Sequence, residues 1–370
     1  MIIGTEFMGM KLKNPVIVAS GPWSRDGAAI QRSVDAGAAA VITETITLEA
    51  NPILHPRIYW NSGRQLFNTK LFSDLHLEQW EQEFENLRLG DCKLIASIWG
   101  NSPSELSYLA AKVERMGVDA IEISISAPLG TRSTTINSYP QEIFEFVHAV
   151  TEAVDIPVMV KLSYEAANSG SFTRSLEQAG AKSVSAIDSL KGLMGVDLDK
   201  RCALMPTYGG YSGQQIRPIA LATTATLKQI TALPVCGCGG IEDANSALEF
   251  IMMGAECIQL ASAVMREGYT VITKTIADME SWMQQHHCSS LREIRGAALD
   301  SLRPFEDVQP QPITAKLLSP CVSECDLCRK GCLYQAITRT ESGIMIDRQK
   351  CTGCGFCTAR CPEKKIQLDW

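Results

Sequence analysis

Eight of the fourteen cysteines in this 370-residue chain fall between Cys321 and Cys361, and their spacing is that of a ligand set. Cys321, Cys325, Cys328 and Cys332 read C-x₃-C-x₂-C-x₃-C; Cys351, Cys354, Cys357 and Cys361 read C-x₂-C-x₂-C-x₃-C, with Pro362 next. Thiolates at these intervals let one tight loop hold three corners of an iron–sulfur cube, while the fourth corner is reached by the last cysteine of the other motif. The expected sets are therefore Cys321, Cys325 and Cys328 with Cys361, and Cys351, Cys354 and Cys357 with Cys332. Two zinc sites would also use C-x₂-C pairs, but they need neither a third closely spaced cysteine nor the C-x₃-C-P ending. The extra residue between Cys321 and Cys325 departs from the commonest spacing. Two [4Fe–4S] clusters this close form an electron wire, and a wire needs a partner that handles electrons both singly and in pairs. A flavin does so.

The elements that would position such chemistry are legible upstream. Short β-branched runs alternate with segments of helical period, the pattern of parallel βαβ units. Eight runs recur: VIVAS from Val16, AVITET from Ala40, KLIASI from Lys93, DAIEISI from Asp119, PVMVKL from Pro157, SVSAI from Ser183, PVCGC from Pro234 and CIQL from Cys257. Several follow a glycine that ends a helix, as in DAGAAAVIT and MMGAECIQL. A (β/α)₈ barrel is expected over residues 1–300, with its active site at the C-terminal ends of the strands; a doubly wound sheet is the alternative. Residues 301–318 lie in a stretch with four prolines, SLRPFEDVQPQPITAKLLSP, and read as a linker. Residues 319–370 then form a small two-cluster, ferredoxin-like domain.

Composition limits the function. Hydrophobic residues at 45% and charged residues at 20% describe a globular chain with ample core material, and a net charge of −7 with scattered Lys and Arg argues against nucleic acid. No basic start followed by an apolar stretch opens the sequence, and no window of about 18 apolar residues suggests a membrane span. A cytoplasmic protein is expected. No G-x-G-x-x-G follows a strand, so no NAD(P)H site of its own is expected.

Within the barrel, Gly239 and Gly240 follow the seventh strand and Ala261 and Ser262 the eighth, where such barrels build phosphate sites from backbone N–H groups. Lys161 ends the fifth run inside apolar residues. A lysine buried there without a partner is costly; a snorkelling surface lysine is the other reading. Cys236 and Cys238 read as barrel packing, and Trp99 as either packing or a stacking surface. The five histidines, His55, His76, His148, His286 and His287, show no metal-ligand spacing.

The segments NPVIVASG, IASIWG, ISISAPLG, PVMVKL, GLMGVD, GYSGQQIRPIAL and CGGIEDANSALEFIMMGA resemble the dihydroorotate dehydrogenase family. With the C-terminal cysteines, the chain is similar to the FMN-containing part of dihydropyrimidine dehydrogenase and its bacterial two-subunit form. The resemblance implies FMN, with Gly213, Gly239, Gly240, Ala261 and Ser262 at its phosphate. Ala19, Ser20 and Gly21 would lie along its ring, with Thr45 and Ser189 as further contacts and Lys161 beside N1 and O2. It also implies a separate electron donor, either a ferredoxin or an FAD-containing NAD(P)H-oxidising subunit, and a homodimer or hetero-oligomer.

Departures from the family fall on residues that would handle substrate. The family's second lysine is replaced by Glu44, and its asparagine–serine–cysteine motif after the fourth strand reads Ser124, Ser126 and Ala127. Alanine moves no proton. Ser133, Thr134 and Thr135 are alternative relays. Asn68 matches one pyrimidine-binding asparagine, whereas Asp188 replaces another. Lys161, Glu44, Asn68, Ser124 and Asp188 are thus the expected catalytic residues, with an activated C=C or C=N bond as the expected substrate. A uracil- or thymine-type enzyme, or an electron-transfer subunit without substrate chemistry, is the alternative.

Overall fold

The computed structural model describes residues 2–50, 55, 57–60, 65–125, 140–309, 311–322 and 324–369. Ser126, Ala127, Ser133, Thr134 and Thr135 lie outside the described residues. The chain divides into two compact units, Met1–Ser301 and Leu302–Trp370.

In the first unit each apolar run contains a strand: β1 (Val16–Val18), β2 (Ala40–Ile42), β3 (Lys93–Ile98), β4 (Ala120–Ser124), β5 (Val158–Leu162), β6 (Ser183–Ala186), β7 (Val235–Cys238) and β8 (Cys257–Leu260). Residues of β1, β2 and β5 are buried on both faces, which suits a sheet covered on both sides. The strands pair in parallel in chain order, and β8 closes onto β1 with Ile258 opposite Val16. Closure removes the two edges that a doubly wound sheet would keep. The architecture is a (β/α)₈ barrel.

A helix follows every strand: Gly27–Asp35, Leu77–Glu85, Pro103–Arg115, Pro140–Thr151, Gly170–Gln178, Arg217–Ile230, Ala244–Met252 and Thr270–Gln285. Local chemistry starts and stops them. The Asp26 carboxylate accepts from Ala29 N at 2.7 Å, and the Ser102 hydroxyl accepts from Glu105 N at 3.2 Å with Pro103 in the first helical turn. The chain leaves two of the helices at Gly117 and Gly254, with φ of 88° and 98°. At the N-terminal end of the barrel, the hairpin Thr5–Phe7 with Met10–Leu12 packs Phe7 and Leu12 against Ile17, Ile42, Met159, Cys236 and Cys257.

At the opposite end, an antiparallel sheet places Leu190–Gly192, Gly209–Ser212, Leu66–Asn68 and Ile58–Trp60 side by side in that order. It joins the excursion after β2 to the excursion after β6, with Gly210 opposite Asn68. Residues far apart in sequence thereby share one wall of the barrel mouth.

The second unit contains two short helices, Leu327–Gly331 and Phe356–Arg360, and two antiparallel strand pairs, Ala315–Leu317 with Ile366–Leu368 and Ile337–Thr340 with Gly343–Ile346. Its apolar centre is Ala315, Cys328, Ile337, Ile344 and Ile366. The segment expected as linker is therefore linker only in part. Beyond Pro312 the prolines stop until Pro320, and Ala315–Leu317 has free N–H groups to pair with the last strand.

Candidate active site

The C-terminal ends of the strands surround a cavity that opens at the barrel mouth. Every residue expected from the sequence to be catalytic or to contact the flavin lines it: Ala19, Ser20 and Gly21 after β1, Glu44 and Thr45 after β2, Asn68 on the mouth sheet, Ser124 at the end of β4, Lys161 on β5, Asp188 and Ser189 after β6, Gly213 beyond the mouth sheet, Gly239 and Gly240 after β7, and Ala261 and Ser262 after β8.

Lys161 is 6% exposed, so it does not snorkel. Its ammonium donates to Gln259 Oε1 at 2.6 Å and lies 3.8 Å from Glu122 Oε2. That same Glu122 oxygen accepts from Ser185 Oγ at 2.8 Å and from Gln259 Nε2 at 3.0 Å. Burial alone would drive Lys161 towards neutrality, but its acidic neighbours, Cys238, Glu122 and Asp188 foremost, outweigh burial and hold it charged above the ordinary lysine range. Burial also pushes the Cys236 and Cys238 thiols up, so they stay protonated and the two carboxylates carry the stabilisation. Cys238 lines the cavity, whereas Cys236 packs in the barrel interior.

Glu44 takes a different cation. Its Oε2 accepts from Lys70 Nζ at 2.7 Å, and Lys70 Nζ donates again to Asp74 Oδ1 at 2.7 Å. The Lys70 and Glu44 side chains are only 8% and 4% exposed. Burial raises the Glu44 carboxyl above its ordinary range, opposed by the bond and charge of Lys70. Its second oxygen, Oε1, is buried with no hydrogen-bond partner among the described residues. Lys70 and Glu122 both line the cavity, and neither is marked by the cysteine or glycine patterns. A charged residue inside the apolar run DAIEISI is the signal that points to Glu122; Lys70, in the excursion LFNTKLFS, carries none.

Polar groups continue around the wall. Ser20, Thr45 and Ser97 form a chain of hydroxyls at 3.2 and 2.9 Å. The Asp188 carboxylate accepts from Ser189 N at 2.7 Å, and the Asn68 side-chain oxygen accepts from Lys70 N at 2.9 Å. Trp99 stacks on Phe72 at 4.6 Å between ring centroids, a packing contact.

One end of the cavity is built from bare backbone. Gly239 and Gly240 have φ of 124° and 74°. A Cβ on Gly239 would come within 2.7 Å of Ala220 Cβ, and one on Gly240 within 2.8 Å of Gly213 O and Arg217 N. No hydrogen bond runs from the N–H of Gly213, Gly239 or Gly240 to another described residue. Such a cluster of uncommitted amides fits an anionic group. With the charged Lys161 elsewhere on the wall, the residues present fit FMN.

In the second unit, one small cavity is lined by Cys321, Cys325, Cys328 and Cys361, and another by Cys332, Cys351, Cys354 and Cys357. Each joins three thiols of one motif to the last thiol of the other. Backbone amides point at the sulfurs: Ala315 N to Cys351 Sγ, Ala336 N to Cys332 Sγ and Lys365 N to Cys361 Sγ, each at 3.3 Å. Such N–H···S bonds stabilise thiolate ligands and tune cluster potential. Among the described residues, no three His, Cys, Asp or Glu side chains converge as a single bound ion requires. The thiols instead stand around a shared space, and this donor set fits a polynuclear cluster.

Comparisons with known proteins agree with the barrel. Residues 2–283 match the family model described as dihydroorotate dehydrogenase. The chain is 31% identical over 299 residues to the dihydroorotate dehydrogenase B (NAD(+)) catalytic subunit of Pyrococcus furiosus, covering 80% of this chain and 99% of that one. It is 32% identical to the corresponding subunit of Methanothermobacter thermautotrophicus, over 81% of this chain and 99% of that one. It is 28% identical to the chloroplastic dihydropyrimidine dehydrogenase (NADP(+)) of Arabidopsis thaliana, over 81% of this chain and 78% of that one. On its closed barrel and these matches, the chain belongs to the dihydroorotate dehydrogenase family, flavin-dependent oxidoreductases acting on CH–CH bonds.

Proposed function

We propose that the protein reduces an activated C=C or C=N bond of a small, cyclic substrate, with electrons delivered through two [4Fe–4S] clusters from a separate donor. The observation that carries this reading is the crossed arrangement of eight thiols around two cavities, in a chain whose barrel also offers an FMN-fitting site. Bound FMN would supply hydride transfer and convert single electrons into pairs.

The chain's own residues do the rest. Gly213, Gly239, Gly240, Ala261 and Ser262 hold the phosphate, with Ala19, Ser20, Gly21, Thr45 and Ser189 along the ring. Lys161 keeps a positive charge in the cavity, fixed by Gln259 and Glu122, where it stabilises negative charge on a reduced ring. Glu44, Asn68, Ser124 and Asp188 orient the substrate, and of these Glu44, Ser124 and Asp188 carry the exchangeable protons. Among the described residues, no helix is long and apolar enough to cross a membrane. Cysteines spent on clusters rather than on disulfides suit a reducing cytoplasm. The donor is a ferredoxin or an FAD-containing NAD(P)H-oxidising subunit, and the relatives' designation as a catalytic subunit supports a hetero-oligomer.

A dihydropyrimidine dehydrogenase-type enzyme acting on uracil or thymine is the second reading, favoured by Asn68 on the cavity wall and by the Arabidopsis relative. Glu44 and Asp188 weigh against it by adding negative charge. Anaerobically purified protein should carry yellow chromophore, iron and acid-labile sulfide. Photoreduced protein mixed with enones, cyclic imines and pyrimidines should be reoxidised by members of the first two classes. Reoxidation by pyrimidines alone favours the second reading, and reoxidation by none favours an electron-transfer subunit.

A further inference from the structure

Of the eight thiols in the second unit Cys354 alone is exposed, whereas at the other cavity Cys328 is buried and Cys321, Cys325 and Cys361 are half-buried. Electron tunnelling weakens steeply with distance, so the cavity of Cys332, Cys351, Cys354 and Cys357 is the one a carrier in solution approaches most closely. The surface beside it has an apolar centre. Leu333 is 89% exposed, Phe356 50% and Tyr334 48%, and Tyr334, Phe356 and Cys354 line the same cavity. The helices Leu327–Gly331 and Phe356–Arg360 meet there, since a Cβ on Gly331 would come within 2.9 Å of the Phe356 ring and 3.2 Å of Arg360 Cδ. The surround is cationic. The two segments that carry this cavity's ligands, 327–340 and 348–362, contain six Lys and Arg residues and not one Asp or Glu. Asp326 pairs with Arg329 and stands 3.5 Å from Arg339, and Lys350 lies 3.9 Å from Asp347. Lys330 and Arg360, both exposed, enter no ion pair among the described residues. The Arg360 guanidinium instead stands 5.5 Å from the centre of the Phe356 ring. Over the whole unit Lys and Arg outnumber Asp and Glu by ten to eight, whereas in residues 1–301 they are outnumbered, 24 to 33.

We propose that this face is the docking surface for a small, acidic one-electron carrier protein, with electrons entering the chain at the cluster of Cys332, Cys351, Cys354 and Cys357. Apolar side chains inside a polar rim are the ordinary anatomy of a protein interface, and cations on the rim steer an acidic partner to it. A cube held by four thiolates is itself anionic, so without these cations the exposed end of the wire would repel such a partner. Each transfer moves one electron from carrier to cube and neither makes nor breaks a bond. The inference rests on the two-cluster reading and goes beyond it by assigning the wire an entry end and a partner of stated charge.

The probe is a plant-type [2Fe–2S] ferredoxin of low isoelectric point, mixed with anaerobically prepared holoenzyme of known iron and sulfide content. Rapid mixing with reduced probe gives the second-order rate constant for electron transfer, and calorimetry with oxidised probe gives the affinity. The rate constant is expected to fall about tenfold or more from low to high salt, and Lys330→Glu with Arg360→Glu should lower it about as much at low salt and weaken binding in parallel. Lys11→Glu with Arg115→Glu, on exposed barrel residues, makes the same change in net charge and should leave both readouts near those of the unaltered protein. Photoreduced deazariboflavin, too small to need the face, should reduce all three proteins alike. Transfer that ignores salt, equal slowing by the two double variants, or no transfer to clusters that deazariboflavin does reduce would overturn the proposal. Purified protein without iron and sulfide would instead remove the cluster reading beneath it.

Discussion

Lys161 and Lys70 are two buried cations in one cavity, and each is tied to a different carboxylate. Removing one member of such a pair leaves the other charged and dry, which costs about 3–5 kcal/mol. Lys161→Met is thus expected to lower unfolding free energy by about that amount in denaturant titrations, because Glu122 would lose its cation while staying 1% exposed. For the Glu44–Lys70 pair, the double variant Glu44→Gln/Lys70→Met should cost less than the sum of the singles, by at least about 1 kcal/mol. Additive costs would show that the two side chains do not interact. The pH dependence follows from Glu44, whose carboxyl is held above its ordinary value of 4.5 mainly by burial. Its stabilising contribution is complete below that value and is lost as pH rises through the higher folded value. Glu44→Gln should flatten this part of the stability–pH curve. Lys161 and Glu122 were open to sequence reasoning because a charge inside an apolar strand demands a partner. Lys70 was not, since a lysine in a polar excursion looks solvated until the mouth sheet folds it inward.

The helix Ala244–Met252 begins just after the glycines that would hold the phosphate, and its start is fixed by Asp243. The carboxylate accepts from Ser246 N at 2.8 Å, and the Ser246 hydroxyl accepts from Asp243 N at 3.0 Å. Asp243→Ala should destabilise the protein by about 0.5–2 kcal/mol and speed FMN loss, whereas Asp243→Asn should keep most of the cap. Flavin release on dilution, followed by fluorescence, measures both. Although partial burial opposes it, bonds from Ser246 hold the Asp243 carboxyl below its ordinary 3.8, so the cap is intact above that pH and fades as pH falls through the lower value. All eight barrel strands were legible because β-branched runs buried on both faces have no other use. The sheet across the mouth was not, since Ile58–Trp60 and Leu66–Asn68 are three residues each, and Leu66–Asn68 joins the rest of the sheet only through Gly209–Ser212, far along the chain. Short strands with distant partners leave no local period.

At the scale of the whole molecule, the proposed wiring makes a test that iron analysis can read. Two cubes give about eight iron per chain and one gives about four. Cys361→Ser with Cys321→Ser removes two ligands of the same cavity and should leave about four. Cys361→Ser with Cys357→Ser strikes both cavities and should leave almost none. The reverse result would mean that each motif fills its own site. The cysteine sets could be inferred from the sequence because ligand spacing is local chemistry, whereas the substrate could not, since it depends on a wall assembled from the excursions after β2 and β6. The crossing of the motifs also has a consequence for how the small unit survives oxygen. Cys332 and Cys361 each sit where one half of the unit is laced to the other, so the proposed cubes would act as rivets through a fold with few apolar side chains at its centre. Damage to either rivet slackens the seam that secures its neighbour, and oxidative bleaching of the two should run together rather than in turn.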